Sequence, residues 1–306
     1  MLSLYKLEIF AAVVQAGSFS AAAQRLYMTQ PAVSQHIQDL EHGLGTSLFI
    51  RGRRGVTLTT AGETLYEYTQ RILRLVAEAE SDVTNVDHLD SGQLTVGATP
   101  GVSTYLIPDW LHGFREKYPQ LNIALQTDVT SKNITGIMEH KLDLAFVEGE
   151  LEKLYRKGLG HLILRPVMMV VAVGQGHAWC KRDSVTIDML NQQAFITRQP
   201  NSRTRIWIDS VLEEHGVQPR IVGEFDNQEA IKQAVMSNMG VSILPDYTLE
   251  REQAAGLIRI LPVEDINFER ELKLLYNENM PFTPIARALL RYLADIFPII
   301  QDLVLI

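Results

Sequence analysis

Apolar residues near the start of the chain recur at steps of three and four: Leu4, Leu7, Phe10, Ala11 and Val14. That spacing lays them along one helix face. Gly17 and Ser18 close this helix and open the next, GSFSAAAQRL, with Ser18 or Ser20 as its N-cap. Tyr27 and Met28 make a short turn. Thr29 caps a third helix, and Pro31 falls in its first turn, where a missing N–H costs little. Val33, Ile37, Leu40 and Leu44 form the core-facing stripe of that helix, and Gly43 and Gly45 stop it. LFIRGRRGVTLT then reads as two short strands about a basic, glycine-rich turn.

From Thr59 the pattern predicts one helix to about His88, with Thr60 and Glu63 as a T-x-x-E capping box. Leu65, Tyr68, Ile72, Leu75 and Ala79 follow alternating steps of three and four, a coiled-coil seam. The seam reads as a dimer contact, since nothing nearby in sequence would cover so long a helix. A helix lying on its own domain core is the alternative. From Ser91 strands alternate with helices: QLTVGAT, NIALQTDV, LDLAFVEG, MMVVAV, QAFITRQ, RIVGEFD, VSILP and LIRILPV. This rhythm predicts α/β layers with mostly parallel sheets, in two small lobes rather than one. Ligands in such folds sit at the carboxyl ends of strands, often between lobes.

Composition fits soluble domains with ample core: 306 residues, 46% hydrophobic and 21% charged. A net charge of −8 argues against blanket affinity for nucleic acid or membrane. The charge is uneven, however. Residues 1–58 carry five basic and three acidic groups, whereas residues 59–90 carry two basic and seven acidic. The local field decides, because salt screens beyond roughly 8–10 Å. Cys180 is the one cysteine, so no intramolecular disulfide and no multi-cysteine zinc site can form, which suits a reducing cytoplasm. The N-terminus lacks the basic region and long apolar run of a signal peptide. No apolar run reaches the roughly 18 residues of a membrane span. The apolar tail FPIIQDLVLI reads as a docked C-terminal segment.

The outer face of the third helix shows Gln30, Pro31, Ser34, Gln35 and Gln38, and no Lys or Arg occurs from Thr29 to Glu41. Amides pair bidentately with adenine edges, and hydroxyls read several bases. A neutral face therefore suits base reading, with phosphate attraction left to Arg51, Arg53, Arg54 and the helix N-terminus. The plain alternative is a solvated helix face beside an ordinary basic turn. Enzyme signatures are missing: no HExxH, no Walker-type loop, and no G-x-G-x-x-G after a strand. The histidines lack metal-ligand spacing, so neither metal nor cofactor is expected. A transporter's solute-binding protein would fit the lobes, but not the N-terminal helices or the absent signal peptide.

LEIFAAVVQAGSFSAAAQRLYMTQPAVSQHIQDLEHGLGTSLFIRGRRGVTLTTAGE resembles the winged helix-turn-helix of the LysR-type transcriptional regulators, almost without a gap. DLAFVEGE and EAIKQAVMSNMGVSILP extend the resemblance along the chain. The resemblance implies an α+β multidomain protein. Its parts would be an N-terminal winged helix-turn-helix at 1–58, a long linker (dimerisation) helix at 59–90, and an α/β periplasmic-binding-protein-like effector domain at 91–306. The effector domain would comprise two subdomains, 91–164 with 269–306, and 165–268. It also implies a cytoplasmic homodimer or homotetramer that binds and bends promoter DNA and answers to a small molecule. RNA polymerase is a further candidate partner.

Carried onto this chain, base reading falls on Gln30, Pro31, Ser34, Gln35 and Gln38, and the wing on Arg51, Arg53 and Arg54. Arg25 and Thr29 match positions near backbone phosphates. One effector wall would be Thr99, Gly101 and Ser103, with a strand ending at Ala98 and a helix beginning near Ser103. Hydroxyls and free N–H groups there would favour an anion. The opposite wall would be Arg198, Ser202 and Thr204; Asn201 and Arg203 depart from the small residues more usual there. Arg203 would suit a carboxylate or phosphate. Thr130 and Glu148 fall on strand ends lining the cleft. Glu148 stands where some aromatic-acid responders carry arginine, so it could pair with Arg198 or Arg203, or bind a ligand hydroxyl or amine. The expected effector is a small anionic metabolite. A capping serine in a plain loop, solvent-facing arginines and a regulator without an effector are the bland alternatives.

Overall fold

In the computed structural model, residues 2–52, 55–84, 92–151 and 156–304 are described. The chain divides into two compact units, Met1–His88 and Leu89–Ile306.

The first unit begins with α1 (Leu4–Ala16), capped by the Ser3 hydroxyl. Gly17, at φ 66°, takes the left-handed conformation that ends it. Ser18 caps α2 (Phe19–Arg25) by accepting from the Ala21 N–H at 3.1 Å. Thr29 does the same for α3 (Gln30–Leu44) through the Ala32 N–H at 3.4 Å. The stop signal of α3 is Gly45, at φ 69°, and Gly43 lies inside the helix. The core-facing stripe is also shorter than its spacing predicts. Val33, Ile37 and Leu40 are buried, but Leu44 in the last turn is 39% exposed. With Phe10, Val13, Ala22 and Leu48 these three side chains make one apolar core.

Two short strands follow, β1 (Phe49–Gly52) and β2 (Gly55–Leu58), paired antiparallel. Gly55 is needed at its place: at φ 132° a Cβ would fall 2.6 Å from the Gly17 carbonyl oxygen, which itself accepts from the Val56 N–H. Next comes α4 (Thr60–Thr84). Its cap is Thr59, one residue earlier than the T-x-x-E pattern suggests. The Gly62 N–H donates to the Thr59 hydroxyl at 3.0 Å, so Thr60 is already helical and the Thr60–Glu63 box does not form. Along α4, Leu65 packs partly on the unit's own core, Ile72 is half-buried, and Tyr68 and Leu75 are 56% and 51% exposed. Residues 85–88 of the predicted helix and the Ala79 side chain lie outside the described residues.

The second unit alternates strands and helices as β3 (Gln93–Ala98), α5 (Pro100–Tyr105), α6 (Ile107–Lys117), β4 (Asn122–Thr127), α7 (Thr130–Met138) and β5 (Leu144–Glu148). It continues through β6 (Leu159–Gly174), β7 (Ala194–Arg198), α8 (Arg203–Glu214), β8 (Arg220–Phe225), α9 (Gln228–Met236) and β9 (Ser242–Pro245). The last elements that matter are α10 (Glu250–Ala254), β10 (Ile258–Leu261), β11 (Glu269–Asn277) and α11 (Pro284–Ala294). The helix after β3 starts at Pro100 rather than near Ser103, since Pro at the first position needs no N–H partner.

The sheets are mixed rather than mostly parallel. β3 pairs parallel with β4 and β5, and β7 with β8. β6 and β11 run antiparallel to each other and to their other neighbours. These two long strands carry the chain between two cores. One core holds Leu94, Val96, Phe146, Val167, Leu272 and Leu290. The other holds Met169, Val171, Phe195, Ile243 and Phe268. The crossings therefore fall between Val167 and Met169, and between Phe268 and Leu272, and they define two lobes joined by extended strands.

Candidate functional site

In the first unit, α3 turns three buried residues inward and leaves Gln30, Pro31, Gln35 and Gln38 exposed, with Ser34 half-buried. The two acidic residues of α3 have local work. Glu41 Oε1 accepts from the backbone N–H groups of Leu48 and Phe49, at 2.7 and 3.3 Å, and so fixes the entry to β1. Asp39 accepts from the Gln35 amide at 2.9 Å and lies 3.7 Å from Lys6. The Gln35 hydrogen bond, helped by Lys6 and His36 and opposed by desolvation, holds the Asp39 carboxyl below its ordinary value. Arg25 is exposed and donates to Gln15 at 2.9 Å. Arg53 and Arg54 lie outside the described residues, as does the side chain of Arg51.

In the second unit, the carboxyl ends of β3, β4 and β5 present Thr99, Thr127 and Glu148. The Thr99 hydroxyl is buried without a hydrogen-bond partner. Ser103 and Thr127 bond each other, hydroxyl to hydroxyl, at 2.5 Å. Gly101 packs so closely that a Cβ would sit 2.8 Å from the Tyr247 hydroxyl and 3.1 Å from the Gln228 amide oxygen. Thr130, the first residue of α7, is buried. From the other lobe, β7 ends at Arg198, whose Nε is buried without a partner. Burial pushes the Arg198 guanidinium below its ordinary value, and Asp226 opposes the shift. Ser202 precedes α8 but makes no side-chain cap bond, and Arg203 is exposed.

The lobes meet at a buried cluster. Arg270, on β11, donates to Glu148 Oε1 at 3.0 Å and to the Thr204 hydroxyl at 3.1 Å. Its guanidinium carbon stands 5.5 Å from the centre of the Trp207 ring. The Tyr247 hydroxyl donates to the second oxygen of Glu148 at 2.6 Å. Burial, then the Glu148 charge, pushes the Tyr247 phenol well above its ordinary value, so it remains a donor. A second polar link lies alongside. Tyr105 donates to Glu229, and Lys232 pairs with Glu229 at 2.9 Å and Glu252 at 2.8 Å while facing the Tyr105 ring. Among the described residues, no group of three or more His, Cys, Asp or Glu could hold a metal, and no helix is long and apolar enough to cross a membrane.

Residues 4–63 match the bacterial regulatory helix-turn-helix protein, lysR family, and residues 87–298 match the LysR substrate binding domain. The chain belongs to the LysR family of transcriptional regulators. Two relatives are probable RuBisCO transcriptional regulators. That of Emiliania huxleyi is 32% identical over 278 residues, covering 90% of this chain and 88% of its own. That of Porphyra purpurea is 32% identical over 280 residues, with the same shares. A full-length OxyR variant from Pseudomonas aeruginosa has the same fold, with a TM-score of 0.72 at 22% identity, over 96% of this chain and 95% of that one. Full-length CbnR solved with its target DNA matches with a TM-score of 0.66 at 20% identity, over 96% and 99% of the two chains. The LysR-family chain is thus a DNA-binding transcriptional regulator with an effector-binding domain, and not an enzyme.

Within this LysR-family effector domain, two further expectations are corrected: Glu148 pairs with Arg270 and Tyr247, not with Arg198 or Arg203, and Thr130 opens helix α7 rather than ending a strand. The contacts bring Glu148 and Thr204 together through Arg270, and set Gly101 against Tyr247. Arg270, Tyr247, Trp207 and Thr127 escaped the sequence reading. One signal was available for Arg270. In ERELKLLYN it shares a two-residue alternation with Leu272 and Leu274, and a charge on a strand's apolar row needs a buried partner.

Proposed function

We propose that the LysR-family chain reads promoter DNA with Gln30, Pro31, Ser34, Gln35 and Gln38, and controls the promoter by a change in DNA bending when a small anionic metabolite enters the cleft between its effector lobes. The wing arginines Arg51, Arg53 and Arg54, with Arg25 and Thr29, supply the phosphate contacts that position it. The α4 seam, with the exposed Leu75, pairs two chains, and two such pairs form the tetramer. RNA polymerase is the partner through which a bent promoter is read out.

The observation that carries the effector reading is a pair of buried groups without partners, Arg198 Nε and the Thr99 hydroxyl. Arg198 Nε is a donor only and asks for an acceptor. The uncapped start of α8 adds backbone N–H groups of the same sign of preference, and Arg203 adds a positive charge. The one carboxylate in the buried cluster is already matched by Arg270, so it does not repel an anion.

The experiment is a thermal-shift panel of small carboxylates, phosphates, amines and neutral sugars on the full chain, followed by calorimetry on the hits. Because a ligand that binds only the folded state raises the midpoint, anions should raise it, and Arg198→Ala should abolish the rise. Selective stabilisation by amines or by neutral molecules overturns the reading.

A further inference from the structure

The turn between α2 and α3 carries an anomaly that the DNA-reading face does not absorb. Tyr27 has φ 53°, in the left-handed region, and its side chain is 99% exposed. Residues with a β-carbon seldom take that conformation, and asparagine or glycine would serve the turn at less cost. The conformation is nevertheless held firmly. The Tyr27 N–H donates to the Gln24 carbonyl at 3.3 Å, and the Met28 N–H to the Ala23 carbonyl at 2.9 Å. On either side, Leu26 and Met28 pack partly into the core. The backbone reversal therefore sends the tyrosine, and not its neighbours, into solvent.

A large aromatic ring in this state contributes next to nothing to the stability of the unit, yet the turn tolerates an unfavourable conformation to present it. Its place is two residues before Thr29, which caps the helix whose first turn exposes Gln30 and Pro31. It is two residues after the exposed Arg25. From Thr29 to Glu41 the chain offers no cation, so neutral donors must do part of the docking. Tyrosine hydroxyls are among the side-chain groups that contact phosphate and sugar.

We propose that Tyr27 is a DNA-backbone contact, whose hydroxyl donates to a phosphate at the rim of the groove that α3 enters. It positions the helix and does not read sequence. The proposal rests on α3 being the base-reading helix, and the test separates the two. Full-length wild type, Tyr27→Phe, Tyr27→Asn and Gln30→Ala are titrated by fluorescence anisotropy against a mixed-sequence duplex and against an operator selected from a random pool, over a range of salt.

Loss of one neutral hydrogen bond should weaken Tyr27→Phe about threefold to tenfold on both DNAs. The slope of log affinity against log salt should not change, because a neutral donor releases no counterion. Tyr27→Asn should bind no better than Tyr27→Phe while unfolding at the same temperature as wild type or higher. Unchanged affinity in both variants overturns the proposal. So does a loss confined to the operator, or defective transcription with intact DNA binding, which would make Tyr27 a protein contact. Gln30→Ala reports on the base-reading helix through the ratio of the two affinities, so either reading can fail without the other.

Discussion

Helix α3 and strand β11 each place charges among apolar residues, and they deal with them in opposite ways. On α3 the charges are met nearby. Asp39 takes a hydrogen bond from Gln35, four residues back, and Glu41 takes two from a backbone segment just beyond the helix. On β11 the two cations are buried and reach far along the chain, although Lys273 also pairs with the exposed Glu271 on its own strand. Arg270 reaches Glu148, and Lys273 donates to the Gly149 carbonyl at 2.7 Å, partners 122 and 124 residues distant. The difference is one of task. On the reading proposed above, α3 meets DNA, and there Asp39 stays exposed while Glu41 holds the backbone of its own unit. A seam between two lobes can hold a buried charge, because pairing across it fixes how the lobes meet, even though Arg270 Nε itself has no partner.

The sharpest way to break the comparison is at Arg270. Its side chain is 6% exposed and that of Glu148 is 7% exposed, so neither can turn to water. Arg270→Ala should cost about 3–5 kcal/mol of stability, because it leaves Glu148 buried without its cation. The double variant Arg270→Met with Glu148→Gln should recover most of that loss. Urea unfolding of the three proteins measures both effects. If the double variant is as unstable as the single one, the pair is not what joins the lobes there.

This contrast also explains what was legible in the sequence. The helical unit was readable because its signals are local: Thr29 caps Ala32, and Val33, Ile37 and Leu40 repeat within two turns. Where it misled, the errors were small and local: the α4 cap moves from Thr60 to Thr59, Gly43 lies inside α3, and Leu44 drops out of the buried stripe. The errors in the effector unit are of another kind. β11 was not recognised as a strand because its charged residues, Glu269, Arg270, Glu271 and Lys273, hide a buried row. The first half of β6 was missed as well, although the second half, MMVVAV, stood out. With β11 unseen and β6 cut to its second half, the sheet read as mostly parallel. Glu148 was picked out as a cleft residue, but Tyr247 and Arg270 lie 99 and 122 residues further on, and no periodicity links them.

A second, intermediate effect tests the solvated side of the comparison. Gln30→Ala and Ser34→Ala should each reduce the preference for operator over mixed-sequence DNA by about 1–3 kcal/mol per lost base contact, with little change in non-specific binding. Competition binding at fixed salt gives that ratio directly. Because Gln30 is exposed and Ser34 is half-buried on the outer face, thermal unfolding should be nearly unaltered. An unchanged ratio would reduce this face of α3 to a solvated surface.

The smallest expected effect is at Asp39, and it bears on how far the helix proposed to read DNA can tolerate a negative charge. The carboxylate is exposed, and it holds the Gln35 amide by accepting its hydrogen bond. Asp39→Asn should strengthen non-specific DNA binding by about twofold to threefold at low salt, with the difference fading as salt rises, because an exposed charge is screened beyond a Debye length. The sign with pH follows from the lowered carboxyl value. The charged form is the one favoured in the folded protein, so its small contribution to stability is present above the ordinary carboxylate range and is lost as pH falls through the lowered value. Over that same acid range the wild type should gain DNA affinity from neutralising Asp39, in addition to what its other groups contribute, and Asp39→Asn should lack that increment. Equal pH profiles for the two proteins would mean that Asp39 lies outside the field of the bound DNA. Gln35 would then be held by Asp39 for the sake of the helix alone.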